Sequence, residues 1–169
     1  RFSDKTDFSL YVSTLNAERN ALGFRTNRVS QPDDPEAPRE WLVDEFNNIA
    51  AEARVLTRYD IRETDAVLLL GMKFYQTDNN QQQGPGTAAA DADFTFATEA
   101  FPSYERQSQF EFPNLNLALF GENIFNLTDR FSVTPGFRYE YIRTRSEGSF
   151  QNIVLDLAGN LLLNEEVED

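Results

Sequence analysis

The sequence predicts an all-β protein, an antiparallel up-and-down meander, on three observations. Apolar and polar residues alternate with a period of two in its patterned stretches. The connections between those stretches are alternately long and short. Aromatic residues make up 13% of the chain, with Phe at 15 positions, too many for a disordered acidic tail despite a net charge of −13.

The first strand is expected over Asp7–Leu15, where Phe8, Leu10 and Val12 fall on one face and Ser9, Tyr11 and Ser13 on the other. A loop follows at about 25–40, because Pro32, Pro35 and Pro38 forbid a central strand or helix interior. From Asn48 to Tyr59, Ile49, Ala51, Ala53, Val55, Thr57 and Tyr59 share one face, with Glu52, Arg54 and Arg58 opposite. The Ala-rich run also suits a helix, but the charges keep to one parity, and that favours a strand. A short link, Asp60–Asp65, leads to a strand over Ala66–Thr77, with Leu68, Leu70, Met72 and Phe74 on one face.

The region 78–113 reads as a second long loop, rich in Asn, Gln, Gly and Ala. The clearest pattern lies in Asn114–Arg145. Leu115, Leu117 and Leu119 alternate with Asn116, Ala118 and Phe120, a turn falls at Asn126–Asp129, and Phe137, Tyr139 and Tyr141 alternate with Arg138 and Glu140. This is an antiparallel hairpin, with Pro135 marking a bulge or an unpaired position. The remainder, 146–169, reads as a third long loop.

Alternating short turns and long loops places all the long loops on one side of the sheet. That is the arrangement of a transmembrane β-barrel, of which this chain is expected to be a segment. The aromatic face then meets lipid, with Tyr59, Tyr139 and Tyr141 as interface residues, and the Arg/Glu/Ser/Thr face lines the interior. No stretch approaches the ~20 apolar residues of a membrane-crossing helix, which a barrel does not need. A soluble β-meander would produce the same alternation, and loop asymmetry favours the barrel.

Composition excludes much. Without Cys there are no disulfides or thiolate ligands, and without His there is no Ser-His triad. An acidic chain is a poor nucleic-acid binder. Paired carboxylates such as Asp33/Asp34, Asp91/Asp93 and Glu165/Glu166 sit in expected loops with nothing to fix their separation, so no enzyme is read here and no cofactor is expected. The opening Arg1-Phe2-Ser3-Asp4-Lys5 carries no secretory h-region and no initiating Met, and the missing Met suggests a processed chain or an excised segment.

The run Phe120–Glu140, with Thr128-Asp129-Arg130 followed by Thr134-Pro135-Gly136-Phe137-Arg138-Tyr139-Glu140, resembles TonB-dependent outer-membrane receptors. Asn16–Asn20 and Glu52-Ala53-Arg54 are similar to strands of the ferric-citrate-type branch. The resemblance implies a plugged barrel of about 22 strands in a Gram-negative outer membrane. With roughly five strands, the whole of 1–169 is expected to be an internal barrel piece without the plug. It implies uptake of a ferric chelate of citrate-like type, with outer-membrane lipid, the rest of the barrel, the plug and TonB as partners. For an iron already wrapped in a chelator, the contacts are Arg and amide donors: Arg19, Arg25, Arg28, Arg54, Gln81, Gln82 and Gln83. Each has an ordinary role as a solvated or ion-paired side chain. A different class remains beside this one: a soluble β-meander module for a small molecule or carbohydrate, with Phe94, Phe96, Phe101 and Tyr104 as an aromatic platform.

Overall fold

A computed structural model describes residues 3–24, 34, 36–61, 64–88, 91, 93–158 and 160–168. Every regular element among them is a strand: β1 (Thr6–Gly23), β2 (Glu40–Ile61), β3 (Thr64–Pro85), β4 (Ser108–Thr128), β5 (Phe131–Val133), β6 (Gly136–Thr144), β7 (Glu147–Leu155) and β8 (Leu161–Glu168). They form one sheet in the order β1-β2-β3-β4-β7-β8, with β5 and β6 also paired to β4. The all-β antiparallel meander is as expected.

Two of the three long connections are shorter than the sequence suggested. β3 runs on through Pro85 and β4 begins at Ser108, so the expected loop 78–113 shrinks to 86–107. β2 starts at Glu40, well before Asn48, which leaves 25–39 outside it; of these only 34 and 36–39 are described. The expected loop 146–169 contains the β7–β8 hairpin, turned at Asp156, whose Oδ1 accepts from the backbone of Ala158 and Asn160 at 2.8 Å each. The common cause is that a backbone ladder needs no apolar side chains to continue. Gln, Asn and Asp pair as readily along a solvated two-sided strand, where no hydrophobic alternation marks them. A strand of 22 residues, such as β2 or β3, spans roughly 70 Å at ~3.3 Å per residue. That far exceeds the ~9–11 residues that cross a bilayer.

The chain divides into two compact units. The first comprises Arg1–Leu15, Asn48–Thr77 and Asn114–Thr144. Its β4–β6 pairing runs from Asn114↔Thr144 to Glu122↔Gly136, so Leu117 lies opposite Tyr141 and Leu119 opposite Tyr139. Pro135 interrupts the partner strand between β5 and β6, and its carbonyl still accepts from Asn123 N at 2.9 Å. In β1 and β2 the hydroxyls of Thr6 and Thr57 meet at 2.5 Å, which puts Phe8, Leu10 and Val12 on the face of Val55 and Ile49.

This apolar face is open. Met72 is 61% exposed, Leu119 52% and Tyr139 70%. Among the described residues the only buried hydrophobic side chains are Ala66 and Ala118. A self-contained soluble module must hide its apolar surface to offset chain entropy, and this sheet does not. The opposite face carries Glu52, Arg54 and Lys73 beside Tyr11, and Arg138 paired to Glu140 above the Phe120 ring. In the hairpin register Glu122 faces Gly136, and Arg138 faces Phe120. Of the expected interface tyrosines, Tyr59 accepts a hydrogen bond from Asn123 Nδ2 at 2.7 Å.

The second unit comprises Asn16–Asn47, Asp78–Pro113 and Arg145–Asp169. It holds the polar ends of the long strands, the loop 86–107 and the β7–β8 hairpin. β4 pairs there with β7 from Ser108↔Phe150 to Glu111↔Glu147, and β7 with β8 from Ser149↔Glu168 to Leu155↔Leu161. Gly148 is required at its position: a Cβ there would lie 2.6 Å from the Phe110 ring and collide with the carbonyl of Gln109.

Candidate functional site

The second unit gathers most of the polar residues that the sequence singled out. Asp44, on β2, is 4% exposed and accepts from Arg19 Nε on β1 at 2.6 Å and from Gln81 Nε2 on β3 at 2.8 Å. One buried carboxylate therefore joins three strands. It also brings together two predicted ligand donors, Arg19 and Gln81. Gln82 and Gln83 do not join this cluster. They line a cleft of about 210 Å³ together with Phe96, Gln107, Gln109 and Gln151.

Arg54 lies in the first unit, paired with Glu52 and with its guanidinium 5.8 Å from the centre of the Tyr11 ring. Arg25 and Arg28 lie outside the described residues.

The loop 86–107 is held down at both ends of its first half. Arg39, 7% exposed, donates to Thr87 O at 3.1 Å, Thr87 Oγ1 at 3.2 Å and Asp91 O at 2.6 Å, and reaches Asp93 at 3.4 Å. Trp41 stacks on Phe96 with ring centres 4.1 Å apart and meets Phe94 edge-on at 6.5 Å. Phe96 in turn covers Gly84, where a Cβ would come within 3.1 Å of the ring. Phe94 has a φ of 42°, a left-handed conformation that costs a non-glycine residue free energy and persists where packing enforces it. The rings of Phe94 and Phe96, expected as a free ligand platform in the soluble-module reading, are thus spent on Trp41. Farther along, Tyr104 donates to Glu40 at 3.2 Å and Arg106 approaches the same carboxylate at 3.7 Å.

The chain matches the family model described as TonB dependent receptor-like, beta-barrel, over residues 1–157. It belongs to the TonB-dependent receptor β-barrel family. No curated protein and no solved structure matches it. TonB-dependent receptor barrels are outer-membrane proteins of Gram-negative bacteria that carry a substrate inward with a plug and TonB as partners, and the family is one of transporters.

As in a TonB-dependent receptor barrel, whose strands are two-sided, the first unit keeps exposed Leu, Met and Tyr on one face and charged pairs on the other. Sequence reasoning missed Asp44, Arg39 and Trp41. Asp44 is one of 28 Asp and Glu residues, and nothing in its neighbours marks it as the buried one. Arg39 follows directly after the last proline of an expected loop, so it read as part of that loop. Trp41 was the one with a signal, as the single Trp in the chain.

Proposed function

We propose that this chain forms wall and loops of an outer-membrane transporter that takes up iron already wrapped in a carboxylate chelator of citrate-like type. The observation that carries the transporter reading is the sidedness of the first unit, apolar and exposed on one face and ion-paired on the other, in a chain of this family. The chain has no His and no Cys, which disfavours direct ferrous ligation, and among the described residues no three carboxylates gather to hold a metal, so the reading has the iron met through its chelator's oxygens. Arg and amide side chains suit such oxygens. Because Asp44 and Glu52 already occupy Arg19 and Arg54, the citrate-like specificity rests chiefly on Arg25 and Arg28. Plug, TonB and the remaining barrel strands would act with it in the intact receptor.

Two experiments test the two levels of this reading. Single cysteines at Phe137 and Arg138 of the receptor, carrying a fluorophore, should differ under a lipid-borne quencher. Position 137 is expected to be quenched and 138 protected, and the reverse would invert the assignment of the faces. For the chelate, cells dependent on this receptor should take up radiolabelled ferric citrate, with R25A/R28A cutting the rate at least tenfold. Uptake that does not depend on the receptor would sink the citrate-like specificity and leave the barrel wall standing.

A further inference from the structure

We propose that the charged face of the first unit is keyed to the receptor's plug at two points of opposite sign, Lys73 and Glu122, so that the plug surface lying on this wall presents a carboxylate to one and a cation to the other. The proposal rests on the reading that turns this face to the barrel interior, and it is independent of the cargo.

The pairing of charges on the face makes the case. Arg58 donates to Asp7 at 2.8 Å, Glu52 pairs with Arg54, and Arg138 pairs with Glu140. These three pairs are matched within the wall. Lys73 and Glu122 are left over: among the described residues neither has a hydrogen-bond or ion-pair partner. In water such charges need none. A plug seated on the wall removes that water, and an unmatched charge in a desolvated interface is strongly unfavourable. The plug therefore has to bring the two opposite charges itself, whereas Arg54 and Arg138 already have their carboxylates.

The strand alignment fixes the spacing of the two points. Gly71 meets Phe120, Gly121 meets Leu70, and Thr77 accepts from Asn114 Nδ2 at 3.1 Å. This alignment sets Lys73 level with Ala118 and Glu122 level with Leu69, on one face and on opposite sides of the Gly71–Phe120 contact. They stand four positions apart along the sheet, roughly 13 Å. Both have room for an incoming side chain. Lys73 borders a cleft of about 430 Å³ with Tyr11, Ser13 and Ala50. Glu122 borders one of about 540 Å³ and faces Gly136 across the hairpin. A plug surface of a single charge sign would satisfy one point and repel the other.

The test uses the intact receptor in detergent. Zero-length carbodiimide coupling joins an amine to a carboxylate that touches it, and mass spectrometry should find Lys73 joined to an Asp or Glu of the plug. K73R keeps the charge but cannot couple, and should lose that product. The second point is read by charge reversal: chymotrypsin should release plug peptides about tenfold faster from E122K than from the parent, with the β spectrum unchanged. Coupling of Lys73 to Glu52 or another wall carboxylate in place of the plug overturns the proposal, as does no coupling at all or unchanged plug release in E122K. Quenching at Phe137 and Arg138 separates this failure from failure of the parent reading. Quenching at 138 would take away the interior face itself, whereas a protected 138 with no plug product would sink the two-point contact alone.

Discussion

The ring of Phe120 occupies the space that a side chain on Gly71 would need. A Cβ on Gly71 would run into Cζ of that ring, with a second ring carbon 2.5 Å away. The other side of the arrangement is Arg138, whose guanidinium sits 5.5 Å from the ring centre and pairs with Glu140. A glycine on β3, an aromatic ring on β4 and a cation on β6 therefore form one stack across three strands. It is the means by which strand glycines, which contribute no packing of their own, are covered.

Replacing Gly71 with Val should force the Phe120 ring away and break the stack. Overpacking of this kind costs about 1–3 kcal/mol. The receptor's unfolding midpoint in urea should fall, and Phe120→Ala added to Gly71→Val should recover part of the loss. Equal stability of G71V and the parent would show that the ring is not held there.

Asp44→Ala removes the acceptor shared by Arg19 and Gln81. Arg19 is well exposed and can turn to water, so the loss should be about 1–2 kcal/mol, smaller than for a fully buried pair. Asp44→Asn keeps an oxygen for Gln81 and should lose less. Paired denaturant titrations of the two variants would show the order, and a milder effect from the alanine would refute the shared-acceptor role.

Trp41→Ala should free the loop 86–107 while leaving the strands intact. The loop's packing against Trp41 includes two aromatic pairs, each worth about 0.5–1.5 kcal/mol beyond its buried area. Limited proteolysis read by mass spectrometry should cut within the loop several-fold faster than in the parent. Faster cutting in β3 or β4 instead would mean that Trp41 holds the sheet itself.

Lys5 donates to Asp60 at 2.9 Å, and that hydrogen bond, with the charge behind it, raises the Lys5 amine above the ordinary 10.5. A raised amine pKa stabilises the fold fully below the unfolded value and loses that contribution as pH climbs through the folded one. Stability at neutral pH should therefore be insensitive to this pair's titration, with any loss confined to strongly alkaline solution. An NMR titration of labelled lysine should show Lys5 falling back toward 10.5 in Asp60→Asn, and an unmoved midpoint would remove Asp60 as the cause.

The apolar half of each long strand was legible in the sequence and the polar half was not. The expected ends at Leu15, Asn48, Thr77 and Asn114 are where hydrophobic alternation stops, and they coincide with the borders of the first unit. Beyond them β3 continues through Asn79, Asn80 and the three glutamines to Pro85 with no apolar alternation to mark it. Glutamines on a two-sided wet strand look the same as glutamines in a loop. The two faces of β4 and β6 were readable from their alternation, and the observed register sets Tyr139 and Tyr141 opposite Leu119 and Leu117, away from the charges. At the site, the residue types were legible and their partners were not. Arg19 and Gln81 were expected as donors to a ligand, but the carboxylate they share stands on β2, in a segment read as the end of a loop and its sequel. Nothing local to either residue points to Asp44.

β4 runs unbroken for 21 residues, yet the chain facing it is in three pieces, β5, β6 and β7, interrupted at Thr134-Pro135 and at Arg145-Ser146. Such a ladder has built-in stopping points. A thermal fluctuation that unzips one piece meets a joint spanned by a single backbone hydrogen bond, Asn123 N to Pro135 O or Arg145 N to Pro113 O, where the pairing is thinnest and opening is most easily arrested. Exchange of the β4 amides that face β5, β6 and β7 should then step at the two joints, and the strand would behave as a spine with three fasteners on that side.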